Sequence, residues 1–550
     1  MAQKPWTARA LVCAFFAAFL VLGFWTAADY GPCWDEPDEM DILRMNLWEY
    51  ARVLGLDESP FLRLAQDENR PVINALVPIS QSIEKDHGAA CMYPLAAVVM
   101  SQQLSEAQRS ALWHMGCWTW FTLGAFALYA ACRELGLPRP AGVLAALMLL
   151  LSPRFFAQGH YNNKDIVLFS LCLCLLWQAL ALLRRPSAWR GAVFSLFGAL
   201  AANTKLMGVG LWLLCGAAVT LGLASQRRLN RRTLGVAGFT VAAFAAFYAA
   251  LTPALWADPA GYWRYALDNS LFFSRWENRL LFRGTVFDFR RDAMPWYYLP
   301  YMILATTPLW ALALIGLGTV AALGAAARSL RALPMDEPGE KAARFGAEGI
   351  PLLLTILMWA LPLGLALVTR TRVYNGWRHF YFLYGPLLAL ASYAAHAVFK
   401  HARPFLRRLF AAALAGCLLV SAAGILREHP YQYAYYQPLA QKENFQELDY
   451  WNVSARNALE QLAQNTEGVL AVAGADIWAQ DALAKALYVM PDGLRSRFDA
   501  VALSQASYVL VNPSYAIIGG LNTEGMREVV SLRSYGQTIM QIFEVEVDAP

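Results

Sequence analysis

The sequence predicts a polytopic α-helical membrane protein with a small α/β domain at its C-terminus. Of its 550 residues, 58% are hydrophobic and only 15% are charged, whereas a soluble domain carries roughly 25% charged residues. The 19 Trp, 24 Tyr and 29 Phe exclude low-complexity disorder. A net charge of +5 is too small and too dispersed for a nucleic-acid-binding protein. Composition therefore assigns most of the chain to a lipid bilayer.

A membrane-spanning helix needs about 20 mainly apolar residues. About eleven segments qualify, of which 190–202 is short for a span. A further apolar stretch at 89–104 contains Pro94 and is interpreted as interfacial or re-entrant. The eleven candidates are 8–28, 109–131, 141–157, 165–183, 190–202, 206–224, 234–254, 297–323, 350–368, 379–398 and 408–426.

Lys and Arg concentrate in alternate connecting loops, and the positive-inside rule assigns those loops to the cytoplasm. This pattern favours an odd number of spans, a cytoplasmic N-terminus and an extracytoplasmic C-terminal domain. The basic loops contain Arg133 and Arg139, Arg184 to Arg190, Arg227 to Arg232, Arg328 to Arg344, and Lys400 to Arg408. The segments left outside are about 29–108, 255–296, 369–378 and the chain after 427.

The nine cysteines lie mostly inside apolar runs, where they are typical of small buried hydrophobic residues. Cys33 and Cys91 are the pair that could meet in an external disulfide. No Cys or His spacing matches a zinc site. The sequence therefore predicts neither a structural metal nor another cofactor.

The first outer segment (29–108) opens with five carboxylates within eleven residues, Asp29 to Glu39. A solvated acidic turn beside the membrane is the plainest interpretation. Trp34 and Pro37, however, bracket the pair Asp35 and Glu36, which anchors that pair at headgroup depth. Apolar residues then recur at helical spacing from position 40 to 54. They predict an amphipathic helix on the membrane surface that holds Asp35 at the mouth of a cavity.

The turn 152–165 places Arg154, His160, Lys164 and Asp165 at the boundary of two predicted spans. Ionisable groups at that depth usually line a polar cavity. Arg154 also fits a snorkelling anchor, and a structural role for Asp165 is favoured by the dipole of the helix that it begins. Lys205 likewise stands alone between two apolar segments.

The segment 369–380 carries Arg370, Arg372, Arg378 and His379 on the predicted outer side. These residues break the positive-inside pattern, and an anionic phosphate ligand explains them most simply.

A carboxylate pair beside Arg, Lys and His suits transfer from a lipid phosphate to a hydroxyl or amine. A carboxylate near the acceptor can remove its proton as a general base. The phosphate leaves as an anion, so it needs cations but no general acid. Direct displacement with one base predicts inversion at the sugar carbon, and a polyprenyl tail between the spans would explain the membrane setting.

The order and placement of these motifs resemble the GT-C superfamily. More narrowly, the chain is similar to bacterial glycosyltransferase family 39 relatives, a group that includes protein O-mannosyltransferases and the lipid A aminoarabinose transferase. The resemblance covers about residues 1–430. The matching stretches are Trp34-Asp35-Glu36-Pro37, His160-Tyr161-Asn162-Asn163-Lys164-Asp165, Pro295-Trp296-Tyr297-Tyr298-Leu299-Pro300, Gly376-Trp377-Arg378-His379-Phe380, His429-Pro430-Tyr431-Gln432-Tyr433 and Leu448-Asp449-Tyr450-Trp451.

This resemblance implies a GT-C-type transmembrane glycosyltransferase domain over residues 1–426, followed by an extracytoplasmic α/β domain over 427–550. The implied donor is a polyprenyl-phosphate-linked monosaccharide, used without a divalent metal on the outer face of a bacterial inner membrane. The acceptor could be a glycan, a lipid or a protein. No tripartite sugar-binding domain lies between the spans, which argues against a protein.

The resemblance also assigns roles to individual positions. The catalytic carboxylate would be Asp35, with Glu36 beside it. The donor phosphate would bind Arg378 and Lys164, with Arg154 and His379 as further candidates. Asp165 and His160 would support these groups or face the acceptor.

The remaining outer segments carry less specific signals. The loop 255–296 is rich in aromatic and basic residues, which either pack in a core or cap the cavity and stack on a sugar ring. After 427, apolar runs at 469–474 and 508–512 predict buried strands, 477–488 predicts a helix, and 538–547 alternates as a final strand. No glycine fingerprint for a nucleotide accompanies them.

The main alternative function is a secondary transporter or lipid flippase. Such proteins often contain inverted repeats and carry ions at mid-depth, whereas this sequence has no internal repeat and collects its ionisable residues at one face. A purely structural or sensory protein would leave the clusters at Asp35 and Arg378 unexplained. The sequence therefore favours an enzyme.

Overall fold

A computed structural model describes residues 5–67, 75–272, 279–331, 338–373, 375–440, 446–521, 523 and 525–545. Their architecture is a bundle of apolar helices with a C-terminal α/β region. Nine of the described helices are long and apolar enough to cross a membrane, or ten if one bent pair counts as a span. The predicted polytopic α-helical fold class with a small C-terminal α/β region is confirmed.

The N-terminal part consists of one long apolar helix and a set of shorter elements. In chain order the helices are α1 (Pro5–Thr26), α2 (Glu36–Leu54), α3 (Ser59–Ala65) and α4 (Ala96–Met100), the last preceded by a 3-10 turn at Ala90–Leu95. The short apolar stretch around α4 occupies the predicted interfacial or re-entrant segment.

Helix α2 ends at Leu54 as predicted, but it begins at Glu36, before the predicted start at position 40, and its surroundings differ from those predicted. Pro37 lies in its first turn, and the helix ends at Gly55, whose φ of 66° suits glycine. Polar residues such as Asp41, Asn46 and Glu49 are buried along with its apolar face. The helix is therefore enclosed by protein on several sides and does not lie as a simple amphipathic helix on a surface.

The central bundle is built from consecutive helices around α8, which is buried almost along its whole length. Helices α6 and α7 bend by 74° at their junction, where Pro153 starts the second helix. The helices are α5 (Glu106–Glu134), α6 (Arg139–Leu150), α7 (Pro153–Tyr161), α8 (Asp165–Arg184), α9 (Ala188–Thr204), α10 (Met207–Ser225) and α11 (Arg231–Leu251).

Three of the eleven predicted spans differ from a straight membrane helix, namely 141–157, 190–202 and 297–323. The segment 141–157 is the bent pair α6 and α7. The segment 190–202 lies in α9, whose 17 residues extend about 26 Å at ~1.5 Å per residue, less than the roughly 30 Å apolar layer.

The next part of the chain contains a small hairpin and the last four long helices. Pro308 divides the predicted span 297–323 into two helices. The elements are α12 (Ala254–Ala257), α13 (Pro259–Phe272), β1 (Arg279–Phe282), β2 (Thr285–Asp288), α14 (Tyr298–Thr306), α15 (Leu309–Arg331), α16 (Pro338–Arg344), a π-helix at Phe345–Gly349, α17 (Ile350–Thr369), a 3-10 helix at Arg378–Leu383, α18 (Tyr384–His401) and α19 (Pro404–Arg427).

The C-terminal α/β region contains a five-stranded sheet in the order β4-β3-β5-β7-β6. Strands β4, β3 and β5 are parallel, and β7 joins them antiparallel. The predicted strands and helix are present, and β6 is an additional partner of the final strand. The elements are α20 (Ala455–Asn465), β3 (Leu470–Gly474), α21 (Ile477–Tyr488), α22 (Asp492–Arg495), β4 (Phe498–Ala500), β5 (Tyr508–Val511), α23 (Pro513–Gly519), β6 (Arg527–Ser534) and β7 (Gln537–Glu544).

The connection between α19 and the α/β region is fixed by a buried carboxylate. Glu447 accepts a hydrogen bond from the backbone N–H of Leu281 at 3.2 Å and another from the Asn375 amide. Burial raises the pKa of Glu447 to about 8, although the Leu281 hydrogen bond and nearby arginines oppose the rise. Glu447 therefore ties the β1–β2 hairpin and the approach to Arg378 to the connecting segment.

We expect Gly318→Ala in α15 to destabilise the bundle. An added Cβ would overlap the carbonyl oxygen of Leu390 in α18, and overpacking of this kind costs about 1–3 kcal/mol. The matched variant is Gly316→Ala in the same helix, because its Cβ would meet no described atom within 4 Å. Thermal unfolding in detergent should show a lowered midpoint for Gly318→Ala alone; equal midpoints would contradict the packing of α15 on α18.

Glu447 predicts a pH dependence of stability. Its pKa of about 8 in the folded protein exceeds the ordinary value of 4.5, so its contribution is fully present below pH 4.5 and is lost as the pH rises through 8. Glu447→Gln should therefore flatten the fall in thermal midpoint between pH 6 and pH 9. Glu467→Gln, at an exposed position, is the control, and parallel curves for Glu447→Gln and wild type would contradict the expectation.

Candidate active site

A cavity of about 260 Å³ lies at the end of the bundle where α1 ends and α8 begins. Its walls come from the turn before α2, the α7–α8 and α9–α10 turns, α13 and the start of the 3-10 helix Arg378–Leu383. Trp451 from the connecting segment completes the wall. The ionisable lining residues are Asp35, Glu39, Asp86, His87, Lys164, Asp165, Lys205, Arg378 and His379.

Asp35 precedes the first turn of α2, and its backbone carbonyl accepts from Glu39 N–H at 2.9 Å. The side chain retains 48% of its accessible surface, and its Oδ2 lies 3.6 Å from Nη1 of Arg378. Desolvation by the surrounding protein raises the pKa of the Asp35 carboxyl, while Arg378 opposes that rise. The result is an accessible carboxylate that binds protons more readily than usual.

The turn before α8 is organised by the side chain of Asn162. Its Oδ1 accepts from the backbone N–H of Asp165 at 2.8 Å and of Lys164 at 3.3 Å. Its Nδ2 donates to Gln158 Oε1 at 2.8 Å and to Asp165 Oδ2 at 3.1 Å. Both ends of the amide are occupied, so the turn presents Lys164 and Asp165 in fixed directions.

Asp165 is the shared counter-ion of two cations. It forms an ion pair with Lys205, from the end of α9, and lies 3.9 Å from Arg378. Only 2% of its side-chain surface is exposed, whereas Lys205 retains 27%. A buried charge requires such partners, and Lys205 keeps part of its surface available to a ligand.

Lys164 is held by the first turn of α2 and by the loop that precedes α4. Its Nζ lies 3.1 Å from Glu39 Oε2 and donates to the carbonyl of Gly88 at 2.9 Å. Asn163 also donates to Glu39 at 3.1 Å. Glu39 therefore holds the 163–164 turn against α2.

Arg378 is fixed by two aromatic residues of the connecting segment. Its Nη2 donates to the Tyr450 hydroxyl at 2.8 Å, and its guanidinium lies 4.8 Å from the Tyr450 ring and 4.7 Å from the Trp451 ring. This packing leaves the Nη1 side toward Asp35 and Asp165. The guanidinium is a rigid cation with a defined direction.

The described lining contains four carboxylates, two lysines, one arginine and two histidines. Two carboxylates, Glu39 and Asp165, are paired with lysines. The cations Lys164, Lys205 and Arg378 thus lie around a space that also reaches Asp35, which allows an anion and a proton donor to bind in one cavity.

Of the predicted site residues, Asp35, Lys164, Asp165, Arg378 and His379 line the cavity together. Glu36 does not line it, although it follows Asp35 directly. Its carboxylate accepts from Ser110 at 2.6 Å and lies 2.7 Å from His114 Nε2, with 1% of its side chain exposed. Glu36 therefore ties α2 to α5.

Arg154 and His160 are also placed outside the cavity lining. Arg154 lies between the rings of Tyr433 and Tyr436, 4.5 Å from each. His160 bonds to Thr26 at 2.9 Å and stacks on Tyr30 at 4.3 Å. Both residues connect α7 to neighbouring segments.

Sequence reasoning missed Glu39, Asp86 and His87 as lining residues and gave Lys205 no role. Glu39 is four residues after Asp35, so helical spacing places the two on one side of α2. This signal was available in the sequence, whereas nothing near Asp86 or Lys205 reveals the folding that brings them together.

Helix α13, in loop 255–296, both packs in the hydrophobic core through Tyr262 and Ala266 and forms part of the cavity wall. Tyr262, Ala266, Asn269 and Ser270 line the cavity, and the Tyr262 hydroxyl lies 2.9 Å from that of Tyr248. Arg275 and Trp276, which are among the basic and aromatic residues of this loop, lie outside the described residues.

Neither a metal cluster nor a disulfide is found in the described part of the chain. No group of three or more His, Cys, Asp or Glu residues there could hold a metal ion. All nine cysteines are free thiols, including Cys33 and Cys91, so the predicted optional disulfide is absent.

No family model matches the sequence, and no curated protein matches it. Among solved structures, the chain is similar to ArnT from Cupriavidus metallidurans in the apo state, at 14% identity and a TM-score of 0.43 over 98% of both chains. It is similar to an oligosaccharyltransferase from Archaeoglobus fulgidus at 12% identity and a TM-score of 0.45, over 92% of this chain and 70% of that one. The arabinofuranosyltransferase AftD from Mycobacteria gives 14% identity and a TM-score of 0.38, over 98% of this chain and 42% of that one.

Proposed function

We propose that the protein is an inverting glycosyltransferase that moves a monosaccharide from a polyprenyl-phosphate donor to an acceptor on the extracytoplasmic face of a bacterial inner membrane. One observation carries the proposal: an accessible carboxylate, Asp35, shares a cavity with Lys164, Lys205 and Arg378 at the end of an apolar helix bundle.

The three cations form the side of the cavity that would bind the donor phosphate. Lys205 and Lys164 retain accessible surface, and Arg378 is oriented by Tyr450. Cations placed in advance stabilise the negative charge that develops on a departing phosphate. Apolar lining at Leu206 and Met207 borders this side of the cavity, where a polyprenyl chain could enter the bundle.

Asp35 would act on the acceptor. The acceptor oxygen or nitrogen attacks the anomeric carbon of the donor, and the bond between that carbon and the phosphate oxygen breaks. Asp35 takes the proton that the acceptor loses. The raised pKa of Asp35 strengthens it as a base, because proton transfer is most effective when the pKa of the base approaches the working pH. One displacement of this kind inverts the sugar carbon.

The alternative of a transporter or flippase agrees less well with the position of the charges. The cavity lies at helix ends, at the start of α8 and the end of α9, whereas transporters bind ions near mid-depth between repeated units.

Incubation of the reconstituted protein with polyprenyl-phosphate sugars and a membrane extract tests the proposal directly. Release of free polyprenyl phosphate together with a glycosylated product is expected, and movement of an intact donor across the bilayer would instead support the alternative.

We expect Asp35→Asn to lower the transfer rate about 100-fold or more, because a general base contributes roughly 10²- to 10⁴-fold. In the wild type, kcat/KM should fall as the pH falls through the raised pKa of Asp35, since the protonated carboxyl cannot accept a proton. Asp57→Asn, at an exposed position after α2, is the control. Transfer by Asp35→Asn at the wild-type rate would contradict the assignment of the base.

Arg378→Ala should raise the KM for the donor about 10- to 100-fold, because hydrogen bonds to charged groups contribute about 1.5–3 kcal/mol each. Arg378→Lys should recover part of this loss, since it keeps the charge but not the planar packing on Tyr450 and Trp451. Arg370→Ala, at an exposed arginine that ends α17, is the matched control. Unchanged donor binding in Arg378→Ala would place the phosphate elsewhere.

A further inference from the structure

The C-terminal α/β region reaches the turn that carries Asp35 through one buried lysine. Lys485 lies on α21, and 3% of its side-chain surface is exposed. Its Nζ donates to the backbone carbonyl of Trp34, lies 3.1 Å from Asp38 Oδ2 and lies 3.0 Å from Asp481. One ammonium group thus holds Trp34, just before α2, together with Asp38 in the first turn of that helix.

The same turn is held by aromatic packing from the C-terminal part of the chain. The indole of Trp34 lies 5.0 Å from the Tyr450 ring, 5.3 Å from Trp478 and 6.0 Å from Tyr515. Its backbone N–H donates to the carbonyl of Trp451 at 3.3 Å. Tyr450 and Trp451 also fix Arg378, so both partners of the pair Asp35–Arg378 depend on this part of the chain.

A buried ammonium group adds little to folding stability, because apolar residues of similar volume often give equal or greater stability. Here each oxygen that surrounds Lys485 belongs to the turn or to α21 itself. Resting on the proposed function, we infer that Lys485 is a positioning residue of the active site, which fixes the Trp34–Asp38 turn so that the Asp35 carboxylate faces Arg378 and the cavity. The α/β region is then a component of the active site.

The charged groups facing Asp35 come from several elements. Arg378 and Lys485 lower the pKa of its carboxyl, whereas Glu39 and Asp165 raise it. Loss of Lys485 removes a nearby positive charge and frees the turn. Asp35 should consequently become easier to protonate at a given pH.

The test measures protonation of Asp35 without any substrate. Purified full-length protein is treated with a water-soluble carbodiimide and an amine over a range of pH, and modification of Asp35 is followed by peptide mass spectrometry. For Lys485→Met we expect the labelling midpoint to move to higher pH. At a fixed pH above the wild-type midpoint, labelling of Asp35 should be about 3- to 10-fold greater, because loss of one nearby positive charge raises a carboxyl pKa by about one unit. Lys485→Arg should restore the wild-type midpoint.

Transfer assays give the second readout. Lys485→Met should lower kcat about tenfold with little change in the KM for the donor, since it displaces the base and leaves the three cations in place. Its pH profile should move in the same direction as the labelling. Arg527→Met, which removes an exposed ion pair on β6, is the control within the same region and should change neither readout.

The outcomes separate the two ideas. A wild-type protein without transfer activity whose Asp35 labelling still depends on Lys485 would refute the proposed function and leave the positioning role. Active wild-type protein with the same labelling midpoint in Lys485→Met would overturn the inference alone. If Lys485→Met does not fold, Lys485→Gln answers the same question, because its amide can still donate to the Trp34 carbonyl while the charge is lost.

Discussion

A chain of ion pairs runs from Lys205 through Asp165 and Arg378 to Asp35 and joins four distant parts of the sequence. In an apolar helix bundle each uncompensated buried charge would cost several kcal/mol. The end of α9, the start of α8, the approach to α18 and the turn before α2 therefore have to meet. The rest of the cavity follows from this requirement, because each of these segments carries further lining residues with it.

The helices of the bundle were predictable because apolar runs and Pro positions are local properties. The eleven predicted segments are mostly helical, and the three that depart from a straight span are explained by Pro153, by Pro308 and by the short length of α9. The surroundings of α2 were not predictable in the same way. Its spacing indicates an amphipathic helix, but its apolar residues belong to a cluster with residues as distant as Tyr262, and Asp41, Asn46 and Glu49 are buried as well.

The candidate site shows the same difference between what local sequence predicts and what tertiary contacts decide. Asp35, Lys164 and Arg378 stood out because charge is scarce in this sequence, and they do share a cavity. Arg154 was a further candidate for the donor phosphate, yet its charge packs between Tyr433 and Tyr436. Sequence alone identifies which charges need a partner; whether that partner is a ligand or an aromatic pair is decided by tertiary contacts.

The amide of Asn162 has a consequence for how this sequence can vary. Its oxygen accepts two backbone hydrogen bonds while its nitrogen donates to Gln158 and Asp165. An aspartate would keep the acceptor and repel Asp165, a serine would lack the second donor, and a glutamine would be one methylene too long. Asparagine alone among these four residue types makes all four hydrogen bonds, so each of these replacements at position 162 would loosen the turn that presents Lys164 and Asp165.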